Sequence, residues 1–471
     1  MDEWLRRATA RRPAHPALID GPTGRKWSYR ELSGWAGEIA RELGEQGIAP
    51  GDPVGLLARR RPLTIAAVWG VFRAGGVLVP LPPDGPTAQR DAQCERAGVV
   101  SRLDPGTGER RIPEIRREER TARTEGRPPT GHAIDRTQVV LFTSGTTGEP
   151  TGVRLTGRNL GASAASTVAR LDANRTDRWF LDLPLSHAGG LSIPLRTAML
   201  GATTVLNPAF DAERSARRMA AHQVTGVSLV PTMLDRLLDG PGLPSDLGFA
   251  LIGGAETPPG LVERALAAGV PIYASYGMTE TASGIATATP AELRERSDTV
   301  GRPVRAATVQ VLDAEGRPVD PGSVGEIAVT GPIVSPGPID GPERPDGTAF
   351  RTGDRGSLTS AGQLVVTGRV DDLIVTGGEN VSPQEVEHAL RGLEGVEAAA
   401  VIGLPDETWG ERVVAAVRTD GRELETAGVR EQLRGRLADS KLPKAVHVVE
   451  AFPRTASGTV DRTALRERLR D

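Results

Sequence analysis

Leu141-Phe142-Thr143-Ser144-Gly145-Thr146-Thr147-Gly148-Glu149-Pro150-Thr151-Gly152 packs two hydroxyl pairs and three glycines into twelve residues. It follows the apolar run Val139–Phe142, which reads as a short buried strand. Glycine lets a backbone turn tightly and approach a ligand closely. Successive N–H groups beside Ser and Thr hydroxyls make a nest suited to phosphate oxygens. The spacing is not GxxxxGK[ST], so this is not the common phosphate loop of nucleotide hydrolases. Taken alone, a Gly/Thr-rich turn of this kind is more often an ordinary loop.

Further segments carry chemically useful side chains. His187 stands in Pro184-Leu185-Ser186-His187-Ala188-Gly189-Gly190-Leu191, where small neighbours leave room for a substrate. A lone histidine has a plainer structural reading; the flanking Pro-Leu and Gly-Gly pairs favour a gate beside a bound acid. Ile252-Gly253-Gly254-Ala255-Glu256 reads as a strand end opening onto a ligand, or as a simple strand-to-helix turn. In Ser275-Tyr276-Gly277-Met278-Thr279-Glu280-Thr281, a glutamate at a helix start would account for Glu280 but not for the whole heptapeptide. Phe350-Arg351-Thr352-Gly353-Asp354 puts a carboxylate at the end of a short strand. Such a carboxylate can accept both ribose hydroxyls, or it can be a turn residue. Gly368-Arg369-Val370-Asp371-Asp372 and Gly377-Gly378-Glu379-Asn380 complete the series.

In this order, across residues 140 to 460, the segments resemble the acyl-adenylate-forming superfamily of acyl-CoA synthetases, luciferases and peptide-synthetase adenylation domains. The resemblance implies ATP, Mg²⁺ and coenzyme A as cofactors and a small carboxylic acid as substrate. It assigns Thr143, Ser144, Gly145, Thr146, Thr147 and Gly148 to the phosphates. Gly254, Ala255 and Glu256 lie along adenine, with Ser275, Tyr276, Gly277 and Met278 completing the nucleotide site. A flat Tyr276 face suits a flat base. Thr279 and Glu280 belong to the reacting end, and a Glu280 carboxylate suits hard Mg²⁺. His187, Ala188, Gly189, Gly190 and Gly277 line the acyl site. Asp354 binds ribose, Arg369 ribose or phosphate, Asp371 is the hinge, and Gly377 and Gly378 line the thiol tunnel. Within the superfamily the chain is most similar to the 2-succinylbenzoate–CoA ligases of menaquinone biosynthesis, although Ser186 and Ala188 stand where bulkier residues are common.

The pattern breaks at two lysines. The phosphate loop of the family ends Pro-Lys-Gly; here it ends Pro150-Thr151-Gly152. The catalytic lysine of the small domain is replaced in Pro453-Arg454-Thr455-Ala456-Ser457-Gly458-Thr459. A carboxylate attacking a phosphate brings two anions together, and one preorganised cation there is worth about 10²–10³ in rate. Threonine can hydrogen-bond but cannot neutralise charge. Three readings follow: a carboxylate–CoA ligase with impaired adenylation, a transferase taking acyl-AMP to another thiol or amine, and a non-catalytic nucleotide or acyl binder. An engineered pair of Lys→Thr changes would look the same. Intact Glu280, Asp354 and Arg369 argue against full decay.

The elements that must hold these residues follow an α/β pattern. Trp27–Leu32 reads as a strand end capped into a helix reaching about Leu43. Pro62–Phe72 reads as an apolar helix and Gly76–Pro80 as a strand. Asp104–Pro129 is polar and Arg/Glu-rich, expected as a solvated, partly mobile connection. From Thr308 short β-like runs begin (309–312, 325–329, 363–366), with a Pro/Gly-rich loop over Pro332–Gly347. The expected architecture is a large N-terminal domain, 1–370, of two α/β subdomains plus a β-rich one. A small mobile α+β C-terminal domain, 371–471, completes it.

At 471 residues the chain has ample length for such a core. A net charge of −3 gives no reason to expect nucleic acid or an anionic membrane as partner. Cys94 is the only cysteine, excluding internal disulfides and zinc–cysteine clusters. The acidic N-terminus lacks a signal core, and the apolar tract Leu63–Leu81 is broken by Arg73, so a cytoplasmic location is expected. A carrier protein acting in place of coenzyme A would be a separate chain, since no carrier domain follows Asp471, and a homodimer is compatible with the sequence.

Overall fold

The computed structural model describes residues 1–471 except 85, 107–111, 119–133, 144–149, 371, 377–378, 407, 423, 435, 455–459 and 471. Its contacts divide the chain into two compact units, 1–309 with 329–350, and 310–328 with 351–471.

The first unit is built on two sheets. The larger has a parallel centre in the order Ile272–Tyr276, Phe249–Ile252, Gly226–Leu229, Arg178–Leu181, Thr203–Leu206 and Pro16–Asp20. Antiparallel strands close both edges: Ala286–Ala288 and Arg302–Pro303 on one side, Lys26–Ser28 on the other. The central strands are largely buried and mostly apolar, as expected of parallel strands. The second sheet runs Gly337–Pro338, Thr151–Thr156, Thr137–Thr143, Val77–Leu81, Pro53–Leu57, Ser101–Asp104, Glu114–Arg117.

Helices form where the sequence starts and stops them. Ser28 and Glu31 make a reciprocal capping box for Tyr29–Glu45, whose Leu32, Ala36, Ile39 and Leu43 recur at helical spacing and are buried. Pro62 opens Pro62–Ala74, and Gly75 at φ 79° ends it. The two helices meet at Gly70, where a Cβ would lie 2.6 Å from Ile39 Cγ2.

In the second unit, Gly410–Thr419 is the centre of a five-stranded sheet with Ile374–Thr376, Glu379–Val381, Val396–Asp406 and Ala445–Val448. Helices Pro383–Arg391, Thr426–Leu433 and Arg462–Arg468 bury Val386, Leu390, Val429, Leu433 and Leu465 against it.

Three local expectations change. The Asp104–Pro129 stretch contains a strand, Glu114–Arg117, that pairs antiparallel with Ser101–Asp104. The Pro332–Gly347 loop contributes Gly337–Pro338 to the edge of the second sheet. Asp354 is not at a strand end: it is mid-way along Phe350–Leu358, beside a register shift at Arg355/Gly356.

Candidate active site

Three of the sequence segments leave the same edge of the large sheet. Strands Arg178–Leu181, Phe249–Ile252 and Ile272–Tyr276 are parallel, so their following loops (182–187, 253–256 and 277–280) share the carboxyl edge. Open α/β sheets bind ligands at that edge. From the His187 loop to the Tyr276 loop is three inter-strand steps, about 14 Å.

His187 immediately precedes the helix Ala188–Leu200. Gly190 is obligatory there: a Cβ would sit 2.1 Å from the Pro184 carbonyl oxygen. The His187 side chain is exposed, yet surrounding protein displaces enough water to lower its pKa. That desolvation keeps the imidazole neutral near pH 7. Because the folded value is depressed, the unfolded chain takes up this proton first as pH falls. Stability is therefore lost from the ordinary value of 6.5 down to the lower folded value. Thermal melts of the unmodified chain and of His187→Gln between pH 7.5 and 5 should diverge, with only the former showing this contribution.

Tyr276, Gly277, Met278, Thr279 and Glu280 are half-buried at the end of their strand, and Thr279–Thr281 forms one 3₁₀ turn. The turn closes tightly enough that a Cβ on Gly277 would lie 2.2 Å from the Ser283 carbonyl oxygen. Ala282 and Ser283 follow at φ 50° and 90°, a left-handed region costly for non-glycine residues. Two side chains bond to this turn: Ser163 Oγ donates to Ala282 O at 2.7 Å, and Arg196 Nη2 donates to Ser283 Oγ at 2.9 Å. Ser275 Oγ donates to Ile252 O at 3.0 Å and sits where a Gly253 Cβ would be, tying the two strand ends together. Gly254, with φ 81°, Ala255 and Glu256 are exposed.

Thr143 and Thr151 are register partners at the mouth of the phosphate loop, with Thr143 Oγ1 donating to Thr151 O at 3.4 Å. Ser144, Gly145, Thr146, Thr147 and Gly148 lie outside the described residues, as do Asp371, Gly377, Gly378 and Thr459. In the second unit Asp354 and Arg369 are also register partners, with Arg369 Nη1 donating to Asp354 Oδ1 at 3.0 Å. Gly353, at φ 72°, leaves room for the guanidinium.

The sequence profile described as "AMP-binding enzyme" matches residues 5–337, and that of the "AMP-binding enzyme C-terminal domain" matches 385–459. The chain belongs to the AMP-binding enzyme family. A feruloyl-CoA synthase of Amycolatopsis is 33% identical, over all of this chain and 99% of its own length. A 2-succinylbenzoate–CoA ligase of Bacillus licheniformis is 34% identical over 98% of each chain. The o-succinylbenzoate CoA synthetase of Bacillus subtilis, in complex with its acyl-adenylate intermediate, superposes with a TM-score of 0.85 at 30% identity, covering 99% of this chain and 98% of that one. The same synthetase has also been solved with ATP and a magnesium ion. The fold of this AMP-binding enzyme is thus mixed α/β, with a large N-terminal and a small C-terminal domain.

Two of the three lysines of this AMP-binding enzyme have partners of their own, and the third lies on an edge strand. Lys441 Nζ bonds both Glu385 oxygens at 2.6 and 2.8 Å. Lys444 Nζ lies 4.6 Å from the Trp409 ring centroid. Lys26 is on the far edge strand, six strand steps, about 29 Å, from the Tyr276 strand.

Sequence reasoning missed Arg196. It lies in the His187-led helix, is 2% exposed, and burial pushes its pKa down to about 10. Its partners are Ser283 Oγ and the face of Trp179, 5.5 Å from the ring centroid; its Nε has none. No carboxylate among the described residues pairs with it. The only signal in the sequence is that it is the one charged residue of its helix.

Proposed function

We propose that this chain is an acid–thiol ligase. A carboxylate oxygen attacks the α-phosphorus of ATP, releasing pyrophosphate and forming acyl-AMP. The thiol sulfur of coenzyme A then attacks the acyl carbon, and AMP leaves. The observation that carries this reading is the shared carboxyl edge, where the His187, Gly254–Glu256 and Tyr276–Glu280 loops converge. The full-length similarity to CoA ligases supports it.

Among the described residues no group of three His, Cys, Asp or Glu could hold a metal. A single half-buried carboxylate at Glu280 therefore suits a magnesium ion that arrives with the nucleotide phosphates supplying its other oxygens. Bound there, the ion would neutralise phosphate charge. Tyr276 would stack on adenine, Asp354 and Arg369 would hold the ribose, and His187, Ala188, Gly189 and Gly190 would flank the acyl group. Residues 1–370 would form the nucleotide domain, and 371–471 would turn about Asp371 to admit the thiol past Gly377 and Gly378. No described helix is long and apolar enough to cross a membrane; we assign the enzyme to the cytoplasm.

For the substrate, Arg196 favours an acid with a second anionic group. A buried guanidinium without a carboxylate is costly, and a ligand carboxylate would supply the missing partner. An aryl dicarboxylate of the 2-succinylbenzoate type fits better than a phenolic acid of the feruloyl type.

A second reading has its own support. With Thr at 151 and 459 and every lysine elsewhere, the first half-reaction is weakened, so the chain could take acyl-AMP made elsewhere to a thiol or amine. ATP–pyrophosphate exchange with 2-succinylbenzoate, ferulate and simple aryl acids separates the two. Acid-dependent exchange supports the ligase. Its absence, with turnover of supplied acyl-AMP, supports the transferase.

A further inference from the structure

We infer that Ser335 is a positioning residue that keeps Glu280 in register with the strand leading out of the phosphate loop. The inference rests on the reading of Glu280 as the magnesium-side carboxylate. Glu280 belongs to the turn after a strand of the large sheet, whereas Thr151–Thr156 belongs to the other sheet. Two groups that must grip one nucleotide thus sit on separate frameworks, and something must set the distance between them.

The segment Pro332–Ile339 does so. At one end Asn159 Nδ2 donates to Pro332 O at 3.0 Å and Val334 O at 2.8 Å. At the other, Ile339 N donates to Gly152 O at 2.8 Å, and Gly337–Pro338 pairs with Val153–Arg154. Between them Ser335, 2% exposed, bonds in three directions. Its backbone N–H donates to Glu280 O at 2.8 Å. Its Oγ donates to Arg154 O at 2.6 Å and accepts from Gly337 N at 2.9 Å. The hydroxyl fixes the serine to the phosphate-loop strand, and the fixed N–H then holds the backbone of Glu280. Alanine keeps the N–H but leaves the Arg154 carbonyl and the Gly337 N–H without their partner, so the segment shifts and Glu280 moves with it.

The test uses the full chain and thermal stabilisation by ATP, with Mg²⁺ titrated at fixed nucleotide. Ser335→Ala should raise the Mg²⁺ concentration for half-maximal stabilisation roughly three- to tenfold. Stabilisation by ATP in EDTA should be unchanged, and Ser335→Thr, which keeps the hydroxyl, should restore the Mg²⁺ response. A merely structural serine would lower the ligand-free melting temperature without moving the Mg²⁺ midpoint. An unmoved midpoint in Ser335→Ala, or no rescue by threonine, overturns the inference alone. No Mg²⁺-dependent stabilisation of the unmodified chain overturns the reading of Glu280 and the inference with it.

Discussion

Thr459→Lys should raise acid-dependent ATP–pyrophosphate exchange by about 10²–10³-fold, the worth of one preorganised cation at a developing phosphate charge. The direction follows from charge balance. The attacking carboxylate and the α-phosphate are both anionic, and the chain offers little to offset them. Lys441 is engaged by both oxygens of Glu385, Lys444 lies against Trp409, and Lys26 is across the sheet. Arg462, three residues from position 459, is held by Glu387 at 2.7 Å and by Asp372 at 3.6 Å. On the ligase reading, neutralisation would fall to a magnesium ion arriving with the nucleotide, and adenylation would be slow. The same substitution should leave transfer from supplied acyl-AMP to coenzyme A nearly unchanged, because attack on the acyl carbon needs no cation between two anions. Equal exchange in the two proteins would mean that another group already does the work of the lysine.

Arg196→Met should abolish discrimination between an aryl acid bearing a second carboxylate and its monocarboxylate analogue, a loss of about 10²-fold in kcat/KM for the diacid. Truncating one partner of a buried, hydrogen-bonded charge pair costs about 2–5 kcal/mol in binding, and about 1.4 kcal/mol is a factor of ten. In the ligand-free protein the sign reverses. Replacing an uncompensated buried cation with an apolar side chain of similar volume removes a desolvation cost, so the melting temperature should hold or rise. These two outcomes together distinguish ligand recognition from bracing of the strained Ala282–Ser283 turn. A bracing residue would lower the melting temperature and depress kcat for both acids alike.

Much of the fold is written in local chemistry. The Ser28–Glu31 box and the spacing of Leu32, Ala36, Ile39 and Leu43 specify the second helix. Three of the motif segments, those of His187, Gly254 and Tyr276, follow apolar runs and prove to be loops at one sheet edge, because parallel strands put their carboxyl ends on one side. What escaped depends on partners distant in sequence. Arg196 carries no motif of its own, and its surroundings show only through Trp179 and Ser283, 17 positions before it and 87 after. Ser335 is anonymous in a Pro/Gly-rich stretch until both Arg154 and Glu280 are found bonded to it. Glu114–Arg117 has a composition suited to solvent, and only its pairing with Ser101–Asp104 makes it a strand. Asp354 reads as a strand end because Gly353 precedes it, yet the chain continues as a strand to Leu358.

The two half-reactions of the unmodified protein should be timed side by side: coenzyme A thioester formed from 2-succinylbenzoate with Mg·ATP, and thioester formed from the pre-made 2-succinylbenzoyl-AMP. An acyl-adenylate site that has kept its transfer step and lost its lysines predicts thioester from both routes, with the supplied adenylate faster by about 10²-fold or more. No thioester from the supplied adenylate, or equal rates by the two routes, would contradict it.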